Sequence, residues 1–168
     1  MKTIQRIFWA HLLTAVAVLA IGYAWSGVIL AALVIVLFGA LWYASQQHGG
    51  PGIEGIVFTL FVLASAGGFY LGIAGWLLLL VVVASLGAWD LDHFLQRLSA
   101  VDRVAFETGL GRQHIRRLLI VEGIGYLAGL TAITIRLQIS FGWVALLIFM
   151  AVVGISQVVQ FVKKQSEK

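Results

Sequence analysis

The chain has 168 residues, of which 61% are hydrophobic and only 11% charged. Its mean hydropathy of +1.02 excludes a water-soluble globular domain, whose surface needs far more polar groups. Cysteine is absent, which rules out disulfides, thiolate metal sites, c-type haem attachment and cysteine nucleophiles together.

Apolar blocks at 7–24, 27–44, 55–72, 73–89, 118–136 and 139–162 each approach the roughly 20 helical residues that cross a hydrocarbon layer of about 30 Å. No alternating pattern of barrel strands occurs, so helices are the expected spanning form. The expected fold class is all-α: one transmembrane domain over 1–168, with six helices paired as three antiparallel hairpins because the turns near Ser26, Ile73 and Ser140 are short.

The first block follows Lys2 and Arg6, the layout of a secretory signal, but Trp9, Trp25 and the lack of a small-residue cleavage site favour a retained span. It carries His11. The second block ends in a connector, Ser45 to Glu54, with three glycines and the chain's only proline, where His48 reads as solvent-exposed. The third carries Thr59 and the pair Gly68 and Gly72, spaced for close helix packing.

Residues 90–117 read as a cytoplasmic loop holding an amphipathic surface helix, with Phe94, Leu95, Leu98, Val101 and Ala105 opposite Gln96, Arg97, Asp102 and Arg103. Asp92 is its expected N-cap, and Gly109 with Gly111 its expected stop. Asp90, Asp92 and His93 place two carboxylates and an imidazole together, a donor set for a divalent cation only if His114 or Glu107 joins it. Caps explain the same letters, and no metal site is expected. With Arg112, Arg116 and Arg117 the group forms a candidate surface site for anionic headgroups.

The fifth block holds Glu122, a carboxylate that needs a partner in an apolar segment, and a second packing pair, Gly125 and Gly129. Glu122 lies five residues beyond Arg117, His11 five beyond Arg6 and Thr59 five beyond Glu54. These matched depths suggest an inner-leaflet polar cluster of His11, Thr59 and Glu122. Arg136 and Gln138 sit where side chains reach the outer surface.

Under this topology ten of the eleven basic residues, from Lys2 and Arg6 to Lys163, Lys164 and Lys168, share one side and only Arg136 takes the other, which places both termini in the cytoplasm. Trp9, Trp42, Tyr43, Trp89 and Phe94 then form an inner aromatic belt, and Tyr23, Trp25, Phe69, Tyr70, Trp76 and Trp143 an outer one. Glycine pairs at Gly27 and Gly39, Gly75 and Gly87, Gly142 and Gly154 recur at the same place in each hairpin, the mark of a parallel pseudo-threefold repeat.

No nucleophile elbow, zinc-protease helix, phosphate loop or dinucleotide fingerprint occurs. The histidines do not face each other mid-span as a bis-histidine haem requires, so no cofactor is expected beyond bound lipid. Scarce interior polar groups favour a structural or accessory subunit in the cytoplasmic membrane of a prokaryote. Its partners would be the bilayer and other membrane subunits or further copies of the chain, with no role for nucleic acid. The alternatives are a small ion, proton or solute transporter built on the Glu122 cluster, and a lipid-acting enzyme using Asp90, Asp92 and His93.

Overall fold

A computed structural model describes residues 2–48, 52–100 and 110–135. Five helices occupy them: α1 Lys2–Trp25, α2 Ile29–His48, α3 Glu54–Tyr70, α4 Gly75–Ala100 and α5 Leu110–Thr134. All except α3 are long and apolar enough to cross a membrane. At 17 residues α3 spans about 25 Å at 1.5 Å per residue, just short of the hydrocarbon thickness. The sixth expected span at 139–162, with Gly142, Gly154, Trp143, Arg136 and Gln138, lies outside the described residues.

Of the three turns expected to be short, that near Ser140 lies outside the described residues, and the other two are closed by one device. Gly27 and Gly72 have φ of 82° and 79°, a left-handed conformation open to glycine without Cβ strain. After α1, Val28 N–H reaches Tyr23 O at 2.9 Å and Gly27 N–H reaches Ala24 O at 3.1 Å. After α3, Ile73 N–H reaches Gly68 O at 3.1 Å and Gly72 N–H reaches Phe69 O at 3.2 Å. These paired bonds are the Schellman arrangement, which satisfies helix-terminal carbonyls and reverses the chain in a few residues. Gly72 is therefore a turn residue, and of the expected packing pair only Gly68 packs, under Leu78, Ile73 and Tyr23.

The pair α1 and α4 has the most extensive helix–helix interface, with α2 against α1, α3 against α4 and α5 against α4. One face of α1 is buried at Ile4, Phe8, Leu12, Ala15, Leu19 and Tyr23, and the facing stripe of α4 at Leu78, Val81, Ala84, Ala88, Leu91 and Leu95; both follow the helical repeat. Leu30, Leu33, Leu63, Ile124 and Leu127 point outward and are exposed. Such a continuous apolar exterior is unfavourable in water and fits lipid.

Two corrections follow. The helix α4 runs unbroken from Gly75 through Ala100, so Asp90–Ala100 continues a long apolar helix and starts no separate surface helix; Asp92 is mid-helix and caps nothing. The reading as a loop treated polar letters as solvated, whereas Asp92 is buried and Asp90 and Gln96 find partners on other helices. Likewise α5 begins at Leu110, about two turns before 118, and Gly111 lies within a helix instead of ending one; Val101, Asp102, Arg103, Ala105, Glu107 and Gly109 lie outside the described residues.

Candidate functional site

On α1, α4 and α5 the side chains of His11, Gly87 and Glu122 meet. Glu122 Oε2 lies 3.0 Å from His11 Nε2, although the residues are 111 apart in sequence. Both stand near the middle of apolar stretches, Thr3–Trp25 and Gln113–Thr134, so Glu122 lies deeper than a fifth helix starting at 118 implies. A Cβ at position 87 would overlap Glu122 Oε1 and fall 2.7 Å from His11 Cδ2. Only glycine leaves room there for the carboxylate.

The hydrogen bonds fix the proton count of this pair. His11 Nδ1 lies 2.8 Å from the Ile7 carbonyl, which can only accept, so Nδ1 carries a hydrogen. A neutral ring then has no hydrogen on Nε2, and the contact with Oε2 needs one further proton, on Nε2 or on the carboxyl. The pair thus holds one proton between the two atoms and has no net charge. Glu122 Oε1 is buried and makes no hydrogen bond among the described residues, while the side chain as a whole is 8% exposed. The Glu122 side chain lines a cavity of about 330 Å³ walled mainly by Leu80, Val83, Ala84 and Leu119, with Thr14 and Tyr126 as further polar lining.

Thr59 does not join this group: it is exposed and donates to the Gly55 carbonyl on its own helix at 2.8 Å. The matched-depth argument could not assign its face.

A second polar group, not foreseen from sequence, is buried where α2, α3 and α4 meet. Trp42 is fully buried and donates its indole N–H to Asp92 Oδ2 at 2.9 Å, so it belongs to the core and not to an aromatic belt. Gln96 donates to Glu54 Oε1 at 3.1 Å, and Glu54 and Asp92 interact electrostatically. Glu54 and Asp92 are both buried, and Asp92 Oδ1 makes no hydrogen bond among the described residues. Tyr23 also leaves its expected belt; it is buried and donates to the Ala64 carbonyl at 2.8 Å. By contrast Trp25, Phe69, Tyr70 and Trp76 are exposed near the turns.

The three polar side chains of the Asp90 to His93 stretch diverge. Asp90 Oδ2 pairs with His114 Nε2 on α5 at 2.8 Å, Asp92 turns to Trp42, and His93 Nδ1 donates to the Trp89 carbonyl at 3.0 Å. His114 also stacks on Phe94 with centroids 4.0 Å apart. Among the described residues no three histidine or acidic groups converge as a metal site. Arg116 and Arg117 are exposed on the first turns of α5; the Arg112 side chain lies outside the described set. Of the other packing pair, Gly129 lies under Leu79, whereas Gly125 has open space around it.

The signal that could have identified Glu54 was its position as a lone carboxylate opening an apolar block. Its partner, 42 residues away, had no local trace. Compared with protein-family models, with curated proteins and with solved structures, the chain matches none.

Proposed function

We propose that the chain is a multi-pass membrane protein that moves protons or small cations through the site formed by Glu122 and His11. Six crossings as three hairpins, with both termini in the cytoplasm, complete this reading; the basic-residue bias supports that orientation. The observation that carries the proposal is the buried Glu122 side chain, which shares a proton with His11, leaves its second carboxylate oxygen without a hydrogen bond among the described residues, and lines a cavity. A carboxylate that served only to tie two helices together would be expected to satisfy both oxygens, because an unmade hydrogen bond in an apolar setting costs about 1–3 kcal/mol. Mid-span ionisable groups beside cavities are the usual parts of ion and proton pathways. Sequence favoured an accessory subunit because interior polar groups looked scarce, and the burial of Glu54 and Asp92 as well as Glu122 weakens that motive.

The test is flux into liposomes holding the purified protein and a pH-sensitive dye, with imposed proton, sodium or potassium gradients. Wild type is expected to conduct above protein-free liposomes, and Glu122→Gln to abolish the difference. Absence of flux in wild type, or equal flux in the variant, removes the reading.

A second reading, a subunit that packs against other membrane chains, is favoured by one observation. The bonds Trp42–Asp92, His11–Glu122 and His114–Asp90 each join two different helices, as interhelical ties would. Mass analysis after purification in mild detergent tests it; a chain that elutes alone counts against it.

A further inference from the structure

We infer that the cavity beside Glu122 binds a lipophilic organic cation, a compact hydrocarbon body with one positive charge, in exchange for the proton of the Glu122–His11 pair. This rests on the transport reading above and names its substrate class. The walls are Leu80, Val83, Ala84 and Leu119, and the volume is about 330 Å³, within the lower range of small-molecule sites, which run from about 300 to 1,000 Å³.

A bare divalent metal ion is poorly served here. Calcium takes about six to eight oxygen ligands and magnesium about six, whereas the cavity offers the Glu122 carboxylate, the Thr14 hydroxyl, already donating to the Ala10 carbonyl at 2.7 Å, and the Tyr126 hydroxyl. A cation that carries its own apolar shell needs no such set. It places hydrocarbon against the leucines and valine, its charge against the Glu122 carboxylate, and meets the Tyr126 ring, a face suited to cation–π contact.

Charge balance sets the exchange. The pair is neutral while it holds one proton, as the Nδ1 bond to Ile7 requires. Arrival of one positive charge and departure of that proton to bulk water leave the buried site neutral again, so the low-dielectric interior never holds an uncompensated charge. One cation bound releases one proton.

The route in is lateral. Leu119 on α5 lines the cavity and is itself exposed on the apolar exterior, and Thr14 on α1, also in the lining, is half-buried, so the cavity borders the surface where a lipophilic cation concentrates.

The experiment is equilibrium binding of tetraphenylphosphonium to the purified protein in detergent, with empty micelles subtracted, and proton release followed by an indicator dye in weak buffer. Saturable binding with one proton released per cation is expected, and Glu122→Gln is expected to weaken it by about tenfold or more, since about 1.4 kcal/mol suffices for that factor. Because Glu122→Gln can disturb folding, Gly123→Leu provides a second arm. Gly123 lines the cavity with nothing within 4 Å of a Cβ, so leucine fills the space while the charged pair stays intact; binding is again expected to fall. No saturable binding by wild type, or equal binding by both variants, overturns the inference. If flux that depends on Glu122 occurs while tetraphenylphosphonium does not bind, the transport reading stands and only the organic-cation assignment falls; if neither occurs, both fall.

Discussion

Gly87 on α4 leaves the space that the Glu122 carboxylate of α5 occupies, so that a methyl group at position 87 and the carboxylate cannot coexist. Gly87→Ala is therefore expected to displace the Glu122 carboxylate and disturb its bond to His11. The expected cost is about 1–3 kcal/mol, the range for overpacking a filled interior. Gly125→Ala is the matched control, because nothing lies within 4 Å of its Cβ and alanine favours helix by about 0.5–1 kcal/mol over glycine. Thermal unfolding in detergent should place the two variants on opposite sides of wild type; equal midpoints would remove the steric argument.

The buried bond from Trp42 to Asp92 leads to a second expectation. Trp42→Phe keeps most of the ring volume but leaves Asp92 Oδ2 without its indole donor, next to an Oδ1 that makes no hydrogen bond among the described residues. A buried acceptor left unmade costs about 1–3 kcal/mol, more when charged. Once Asp92 is leucine, the same Trp42→Phe change removes no such bond. A double-mutant cycle should thus give a coupling of about 1–3 kcal/mol, and additive effects would show that the bond contributes nothing.

The spans of α1, α2 and α4 were legible because each is a long apolar run, and the turns near Ser26 and Ile73 because so few residues separate consecutive runs. What sequence misjudged was polarity. Trp89 to His93 looked like the rim of a loop, yet α4 continues through it because Asp90 and Asp92 find partners on α5 and α2. Those partners lie 24 and 50 residues away, beyond the reach of any local pattern. The depth of His11 and Glu122 could be counted from flanking arginines, and that placed them at one level; the face of Thr59 could not, since one apolar helix turn looks like another when lipid and core are both hydrocarbon. Gly87 was noticed for its spacing and not for its role, because a glycine that accommodates a side chain from another helix leaves no mark in its own neighbourhood.

His114 and Asp90 are bonded at 2.8 Å, but their side chains are 31% and 39% exposed. Solvent screening at such exposure limits the pair to about 0–1 kcal/mol. Asp90→Asn is expected to shift stability by less than about 1 kcal/mol, and the shift should shrink as salt rises because partly exposed pairs are screened. His114→Ala should cost more than Asp90→Asn, since it also removes the ring stacked on Phe94. Unfolding curves at low and high salt check both statements; a large, salt-independent effect of Asp90→Asn would mark the pair as a buried structural tie.

The crossing number can be decided by the chain's lack of cysteine, since each introduced thiol is then the only one present. Thr3, Ser26 and Gln47 lie near the start of α1, in the turn after it and near the end of α2. If α1 and α2 each cross, Ser26→Cys must react with an impermeant maleimide from the face opposite to Thr3→Cys and Gln47→Cys. Ser166→Cys near the C-terminus carries the parity: an even number of crossings puts it on the face of Thr3, an odd number on the face of Ser26. The basic residues predict the first outcome, with Thr3, Gln47 and Ser166 labelled only after permeabilisation of spheroplasts and Ser26 labelled before. Labelling of Ser166 together with Ser26 would leave an odd number of spans, and the short helix α3, at 17 residues, would be the first candidate for a segment that enters the bilayer without crossing it.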